Sequence, residues 1–270
     1  MKTGKVLVLG ESCSDVFVYG RVERLSPAAP APVFLPEETK TNVGMAGNVY
    51  QNLLGLGINC EIMTNVGFRE ITKTRFVDSI TNTMFLRVDH GEGSIAPGDF
   101  RFAPEDFDIL VISDYDKGLL TENVMQQMIA AHPKVILDTK KKLGDWCRDA
   151  FLIKINSAEY EISKDYINKN IENKVIRTAG IEGCFYQGKK YDVDAVEIKD
   201  LSGAGDTFLA GLIAKYLEEE CIKKAIVFAN ECATVAVQRR GIFQDFSGLD
   251  MNIRKKTVEQ IVKSLNYDDD

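Results

Sequence analysis

The stretch Asp200-Leu201-Ser202-Gly203-Ala204-Gly205-Asp206-Thr207-Phe208 decides how this chain is read, because it leads directly into a long amphipathic helical pattern, Asp206 to Glu219. Small residues let backbone amides converge at a helix N-terminus, where unpaired N–H groups and the helix dipole attract an anion. A phosphoryl group suits such a place. Asp206 would then stand beside the anion hole as a carboxylate able to take the proton of an attacking hydroxyl. On this stretch alone, a glycine turn with an acidic first-turn residue reads equally well.

Outward from that helix the chain alternates. Short apolar runs at Val6–Leu9, Ile109–Ile112, Val135–Leu137 and Phe151–Ile153 suit strands buried on both faces. Between them lie helical patterns at Ala46–Leu56, ended by Gly57, and Glu122–Ala131, begun by Thr121 as N-cap. After Asp206–Glu219 come helical patterns at Ile222–Gln238 and Lys255–Leu265, then an acidic end, Asp268-Asp269-Asp270. Strand and helix in alternation imply a mostly parallel sheet covered by helices, in one α/β domain over residues 1–270. Two stretches fall outside this rhythm. Asp15–Val22 has β character, and Pro27, Pro30, Pro32 and Pro36 keep the chain extended up to Asn42; Thr83–Val88 is placed as its partner. They are expected to form a small β lid over segments near 16–38 and 82–90, a place for substrate selection and for contacts between two copies of the chain.

Composition narrows the function. The chain has 270 residues, with 33 Lys and Arg against 40 Asp and Glu for a net charge of −7, so it lacks the general positive field that nucleic-acid or anionic-membrane binding needs. Hydrophobic residues at 45% and charged residues at 27% fit a folded globular protein. The six cysteines form no CxxC pair and only two histidines are present, which argues against a structural zinc and for buried, reduced thiols in the cytoplasm. Val6–Leu9 is too short for a signal-peptide core, and no apolar stretch approaches the roughly 18 residues of a spanning helix.

Several polar loops follow strands or open helices. Asp15 comes just after the first strand, where open α/β sheets bind ligands, and could hold vicinal sugar hydroxyls. In Asn42-Val43-Gly44-Met45-Ala46-Gly47-Asn48 the glycines permit close backbone approach, and Asn48 offers donor and acceptor. Ser113-Asp114-Tyr115-Asp116-Lys117-Gly118, Asn156-Ser157-Ala158-Glu159 and Thr178-Ala179-Gly180-Ile181-Glu182-Gly183 each end a strand. Taken singly, these also read as a solvated loop acid, tight turns and a helix cap.

Taken in order along nearly the whole chain, these segments and Asn230 resemble the ribokinase (PfkB) family of sugar kinases. Within it the resemblance is to the heptose-7-phosphate kinase domain of ADP-heptose synthesis. Arg24-Leu25-Ser26-Pro27-Ala28-Ala29-Pro30-Ala31-Pro32-Val33, Ser113 to Gly118 and Phe228-Ala229-Asn230 carry it. The resemblance implies a ribokinase-like three-layer α/β sandwich with a mostly parallel central sheet and a small β lid. It implies an ATP- and Mg2+-dependent kinase that phosphorylates the anomeric hydroxyl of a heptose 7-phosphate. Asp206 would be the catalytic base, with the amides of Gly203, Ala204 and Gly205 stabilising the transferring phosphoryl. Asp15, Gly44, Asn48, Asp114 and Lys117 would face the sugar, and Asn156, Thr178, Gly180, Gly183 and Asn230 the nucleotide. Glu159, with Asn156, would organise the metal and its waters. Lys140, in Asp138-Thr139-Lys140, matches a D-P-K of the heptose kinases with threonine in place of proline.

The chain departs from that pattern in places. Gly44-Met45 stands where the family carries two glycines, which implies a reshaped sugar pocket. The family's further helix and strand between Gly67 and Thr72 are absent, and the segments around Ala103 and after Glu161 are short. With no nucleotidyltransferase segment up to Asp270, only the kinase activity is expected from these residues. A kinase for another sugar or sugar phosphate, and a non-catalytic sugar- or nucleotide-binding relative, are the competing readings. A dehydrogenase reading fails, because Gly10-Glu11-Ser12-Cys13-Ser14 after the first strand is no GxGxxG turn.

Overall fold

A computed structural model describes residues 4–167 and 171–241, so the helical pattern at Lys255–Leu265 and the acidic end lie outside the described residues. The chain begins with β1 (Lys5–Gly10), β2 (Ser12–Leu25), β3 (Pro32–Met45), α1 (Ala46–Gly55), β4 (Asn59–Met63), β5 (Thr72–Asp78) and β6 (Met84–His90). It continues through β7 (Ile109–Asp114), α2 (Glu122–Ala131), β8 (Val135–Thr139), β9 (Leu152–Asn156), α3 (Ser157–Ser163) and β10 (Val175–Thr178). The hairpin β11 (Cys184–Tyr186) and β12 (Lys189–Tyr191) then leads to α4 (Ala204–Glu219) and α5 (Ile222–Val237).

The apolar runs become the middle of an eight-stranded sheet ordered β12-β11-β10-β9-β8-β7-β1-β4. The strands from β4 to β10 in that order run parallel, and only the β11–β12 hairpin is antiparallel. Because successive strand side chains point to opposite faces, one run feeds two cores. Val6, Val8, Ile109, Val111 and Ile136 pack under α1, α4 and α5. Leu7, Leu9, Leu110, Ile112 and Leu137 pack on the other face, toward α2. Three layers result, helix on sheet on helix. Helix starts follow local chemistry: Thr121 caps α2 by accepting from the Val124 N–H at 3.3 Å, and Asn156 and Glu159 form a capping box on α3.

The lid is wider than the sequence suggests. It is a four-stranded sheet ordered β3-β2-β5-β6, and β6 pairs with β5 rather than with β2 or β3. The β5 strand was hidden because Thr72-Lys73-Thr74-Arg75 alternates polar with charged residues and buries little apolar surface. Between β4 and β5, where the resemblance implies a further helix and strand, the chain makes a single 3₁₀ turn at Phe68–Glu70. The prolines after Pro27 do not merely extend the chain: Pro32 and Pro36 lie in β3, on a sheet edge where a missing N–H costs no ladder bond.

Candidate functional site

The parallel strands deliver their polar ends to one side of the sheet. Tyr115 follows β7, Asp138 and Lys140 come from the end of β8, Asn156 closes β9 and Thr178 closes β10, and together with the start of α4 they line a cleft of about 620 Å3. Asp206, in the first turn of α4, is buried and also lines the cleft. Its Oδ1 accepts from the Tyr115 hydroxyl at 2.7 Å, and its Oδ2 accepts from Asn48 Nδ2 at 2.7 Å. Asn48 arrives there because β3 runs straight into α1, which packs against α4. Burial pushes the Asp206 carboxyl above its usual range, and Asp138 adds to the push. The two hydrogen bonds and the Lys154 ammonium pull it back. A carboxylate kept basic but held in place suits proton abstraction.

Lys154 is the cation that the sequence reading passed over. It is buried in β9, its Nζ is 2.7 Å from Asp138 Oδ2, and a Cβ built on Gly205 would come within 3.1 Å of that Nζ. The missing side chain therefore lets an ammonium approach a helix N-terminus, a place whose own dipole disfavours cations. Two positive features converge with Asp138 as their counter-charge, which is a setting for a further anion. Gly203 opens the helix with φ +75°, and the Ala204 N–H turns back to Leu201 O at 3.3 Å. Asp138 Oδ1 is buried without a hydrogen-bond partner.

Of the residues expected to face a nucleotide, Thr178, Gly180 and Gly183 line the cleft. Asn230 also lines it, and its amide braces the chain leaving β12 by donating to Tyr191 O at 3.1 Å. Glu159 is buried and engaged: it takes the Asn156 N–H at 2.7 Å, the Asn156 side-chain amide at 2.8 Å and the Lys140 ammonium. Among the described residues no three His, Cys, Asp or Glu converge as an all-protein metal cage would require. Magnesium usually keeps its waters and relies on one or two carboxylates plus substrate phosphates; the orphaned Asp138 oxygen fits that role, and Glu159, engaged by Asn156 and Lys140, fits as a partner of the metal's waters.

On the lid side, Asp15 in β2 pairs with Arg75 of β5 at 2.5 Å. Gly44 lets Asp15 sit against the backbone: a Cβ there would lie 2.3 Å from Asp15 Oδ2, so a larger residue would displace that carboxylate. Lys73 and Lys117 share Glu92 at 2.7 and 2.6 Å, and Arg87 pairs with Asp89 at 2.7 Å. Four cations thus face three carboxylates around Asp15. Asp114 is taken up by the protein itself, with Lys141 Nζ at 2.9 Å and the Thr139 hydroxyl at 2.5 Å. Cys13 lies under this region, and burial pushes its thiol up to about 12, which removes it as a nucleophile.

Glu11 is a further residue missed in the sequence. Fully buried after β1, it accepts from the backbone N–H groups of Tyr115 (2.9 Å), Lys117 (3.2 Å) and Leu119 (3.2 Å), and so fixes the loop that carries Tyr115. Its signal was a glutamate at the end of a run with no apolar partner; that of Lys154 was a lone cation inside Phe151-Leu152-Ile153-Lys154-Ile155.

Solved structures share this fold. A nucleoside kinase of Methanocaldococcus jannaschii, described as an archaeal member of the ribokinase family, superposes with a TM-score of 0.69 at 16% identity, covering 96% of this chain and 99% of that one. An Arabidopsis thaliana ribokinase complexed with ribose and ATP gives 0.67 at 14% identity, covering 98% and 100%. In sequence, the chain is 29% identical to the bifunctional protein HldE of a Nitratiruptor species over 97% of its length. It is 30% identical to that of a Helicobacter pylori strain over 88%. It spans 68% and 64% of those two relatives, and 60% of the one from a Bradyrhizobium species. The first alignment runs over 317 positions against a chain of 270, so the relative carries segments that this chain lacks. No helix among the described residues is long and apolar enough to cross a membrane. The family model for pfkB carbohydrate kinases matches residues 105–245, which hold both the Ser113–Gly118 loop and the Gly203–Asp206 helix start, and the chain belongs to that family of kinases.

Proposed function

We propose that this carbohydrate kinase transfers the γ-phosphoryl of ATP to the anomeric hydroxyl of a heptose 7-phosphate. The observation that carries the proposal is the meeting at Asp206 of Tyr115, from the heptose-kinase-like Ser113–Gly118 loop, with Asn48 beside the acceptor-side Gly44 and Asp15. Asp206 takes the proton of the acceptor hydroxyl as its oxygen forms a bond to the γ-phosphorus and the bond to ADP breaks. The positive end of α4 at Gly203–Gly205 and the Lys154 ammonium receive the charge on the transferring group. When bound, magnesium supplies charge neutralisation on the nucleotide phosphates, and Glu159, Asn156 and Asp138 are the residues that would hold it and its waters. Thr178, Gly180, Gly183 and Asn230 form the nucleotide's walls.

A phosphorylated acceptor suits the lid side. Lys73, Arg75, Arg87 and Lys117 outnumber Asp15, Asp89 and Glu92 there, and this local excess sits in a chain whose net charge is −7. Met45 supports the second reading, a different sugar phosphate, because it puts a buried side chain beside Gly44 where the family resemblance implies a second glycine. Phosphorus NMR of a reaction with ATP, magnesium and heptose 7-phosphate is expected to show a new anomeric phosphate as ATP is consumed. Turnover of another sugar phosphate, with none of the heptose, would overturn the substrate assignment.

A further inference from the structure

Tyr115 occupies an unusual place. Its ring lines the nucleotide cleft and packs on its other side against the Cys13, Met45 and Ile71 cluster beside Asp15 and Gly44. It therefore stands as a partition between the nucleotide and acceptor sides. Its hydroxyl, at 2.7 Å, holds the one oxygen of Asp206 that Asn48 does not. The attacking hydroxyl of an acceptor must make a bond of the same kind to the same carboxylate.

The partition is built firmly. Glu11 fixes the backbone of Tyr115 at 2.9 Å, and the Lys140 ammonium lies 5.5 Å from its ring centre. Below it, Met45 adopts φ 58°, ψ −135°, a conformation normally left to glycine, and is nevertheless almost fully buried. Strain of this kind persists only where the surroundings enforce it. Here the same residue supports the Tyr115 ring with its side chain and directs α1, hence Asn48, toward Asp206 with its backbone.

We infer that Tyr115 is a positioning residue whose hydroxyl stands in for the acceptor hydroxyl on Asp206 until the acceptor arrives. With the acceptor absent, it denies the base to water. Were water to take its place, the water oxygen would bond to the γ-phosphorus, Asp206 would receive the water proton and the bond to ADP would break, giving ADP and inorganic phosphate. The device thus couples use of ATP to the presence of the sugar. The inference rests on the kinase reading with Asp206 as base, but not on which sugar is the acceptor.

The test is acceptor-free hydrolysis of magnesium-ATP by the whole chain, compared with the transfer rate. Tyr115→Phe keeps the ring and removes the hydroxyl, and is expected to raise acceptor-free hydrolysis about tenfold, as loss of one hydrogen bond to a charged group allows. Met45→Gly, which suits its backbone angles and loosens the ring without touching the base, should raise it in the same direction but less. A merely structural role would lower hydrolysis and transfer together and leave their ratio alone. An unchanged ratio in both variants overturns the inference. If Asp206→Asn retained transfer, the base assignment itself would fail, which is a different result from an unchanged ratio with Asp206→Asn inactive.

Discussion

The two sheets of this molecule are built on opposite terms. In the central sheet, β7 and β8 are buried at every residue, and their apolar side chains alternate between two cores. In the lid, every residue of β6 is exposed, the buried apolar cluster between the inner strands is small, Phe17, Tyr19 and Val77, and the end nearer the cleft is held by ion pairs: Asp15 with Arg75, and Lys73 and Lys117 with Glu92. The first arrangement gives the proposed phosphoryl-transfer centre a buried, closely packed support. The second places charged groups on the side proposed to receive the acceptor. Chemistry is thus expected to fail when the central sheet or α4 is altered, and substrate choice when the lid is altered.

The largest effect should come from the centre. Asp206→Asn is expected to lower kcat about 10²- to 10⁴-fold while nucleotide binding, followed by calorimetry, persists. Because burial raises this carboxyl, its charged form costs the fold stability once pH rises above its folded value. The variant should therefore melt higher than the parent at neutral pH. That gain should vanish at pH values below the ordinary aspartate range near about 3.9, where both side chains are neutral. The same raised value puts the acid limb of the parent's pH–rate profile above the usual aspartate range, since only the ionised form accepts a proton.

Next comes Lys154→Met, which removes a cation facing the start of α4 and is expected to reduce kcat about 100-fold. It also strands Asp138 in the core, at a cost of roughly 3–5 kcal/mol in unfolding free energy by denaturant titration. Adding Asp138→Asn should restore stability but not activity. Loss of the Lys154 charge should also move the acid limb to still higher pH, because that charge lowers the Asp206 carboxyl.

The lid variant gives the contrasting result. Arg75→Met is expected to raise the KM for a phosphorylated acceptor about 10- to 100-fold, with the KM for ATP unchanged. A fall in kcat with both KM values intact would erase the proposed division between centre and lid. Smallest should be Met45→Gly, which relieves a backbone strain of about 1–3 kcal/mol but gives up buried packing, leaving the melting temperature nearly level.

This contrast also explains what could be read without coordinates. Val6–Leu9 and Ile109–Ile112 announced the sheet because burial on both faces writes itself as an uninterrupted apolar run. The lid strand β5 did not, because Thr72-Lys73-Thr74-Arg75 carries polar and charged groups in place of an apolar run, and with β5 hidden β6 takes the wrong partner on sequence alone. At the site, Gly203–Asp206 was legible from small residues before a helix. Glu11 and Lys154 were not, since each is defined by what it meets: three backbone amides in one case, Asp138 and Gly205 in the other. Asp114, a candidate sugar ligand by motif, has its carboxylate occupied by Lys141 and Thr139, a contact set by the β7–β8 register.

The most direct measurement is kcat/KM of the purified chain for heptose 7-phosphate and for the same heptose without its phosphate, at fixed magnesium-ATP. A centre that supplies the chemistry and an acceptor side where Lys73, Arg75, Arg87 and Lys117 gather predict turnover of the phosphorylated sugar with at least about a tenfold preference over the bare one. Equal rates, or a preference for the unphosphorylated sugar, would contradict the account.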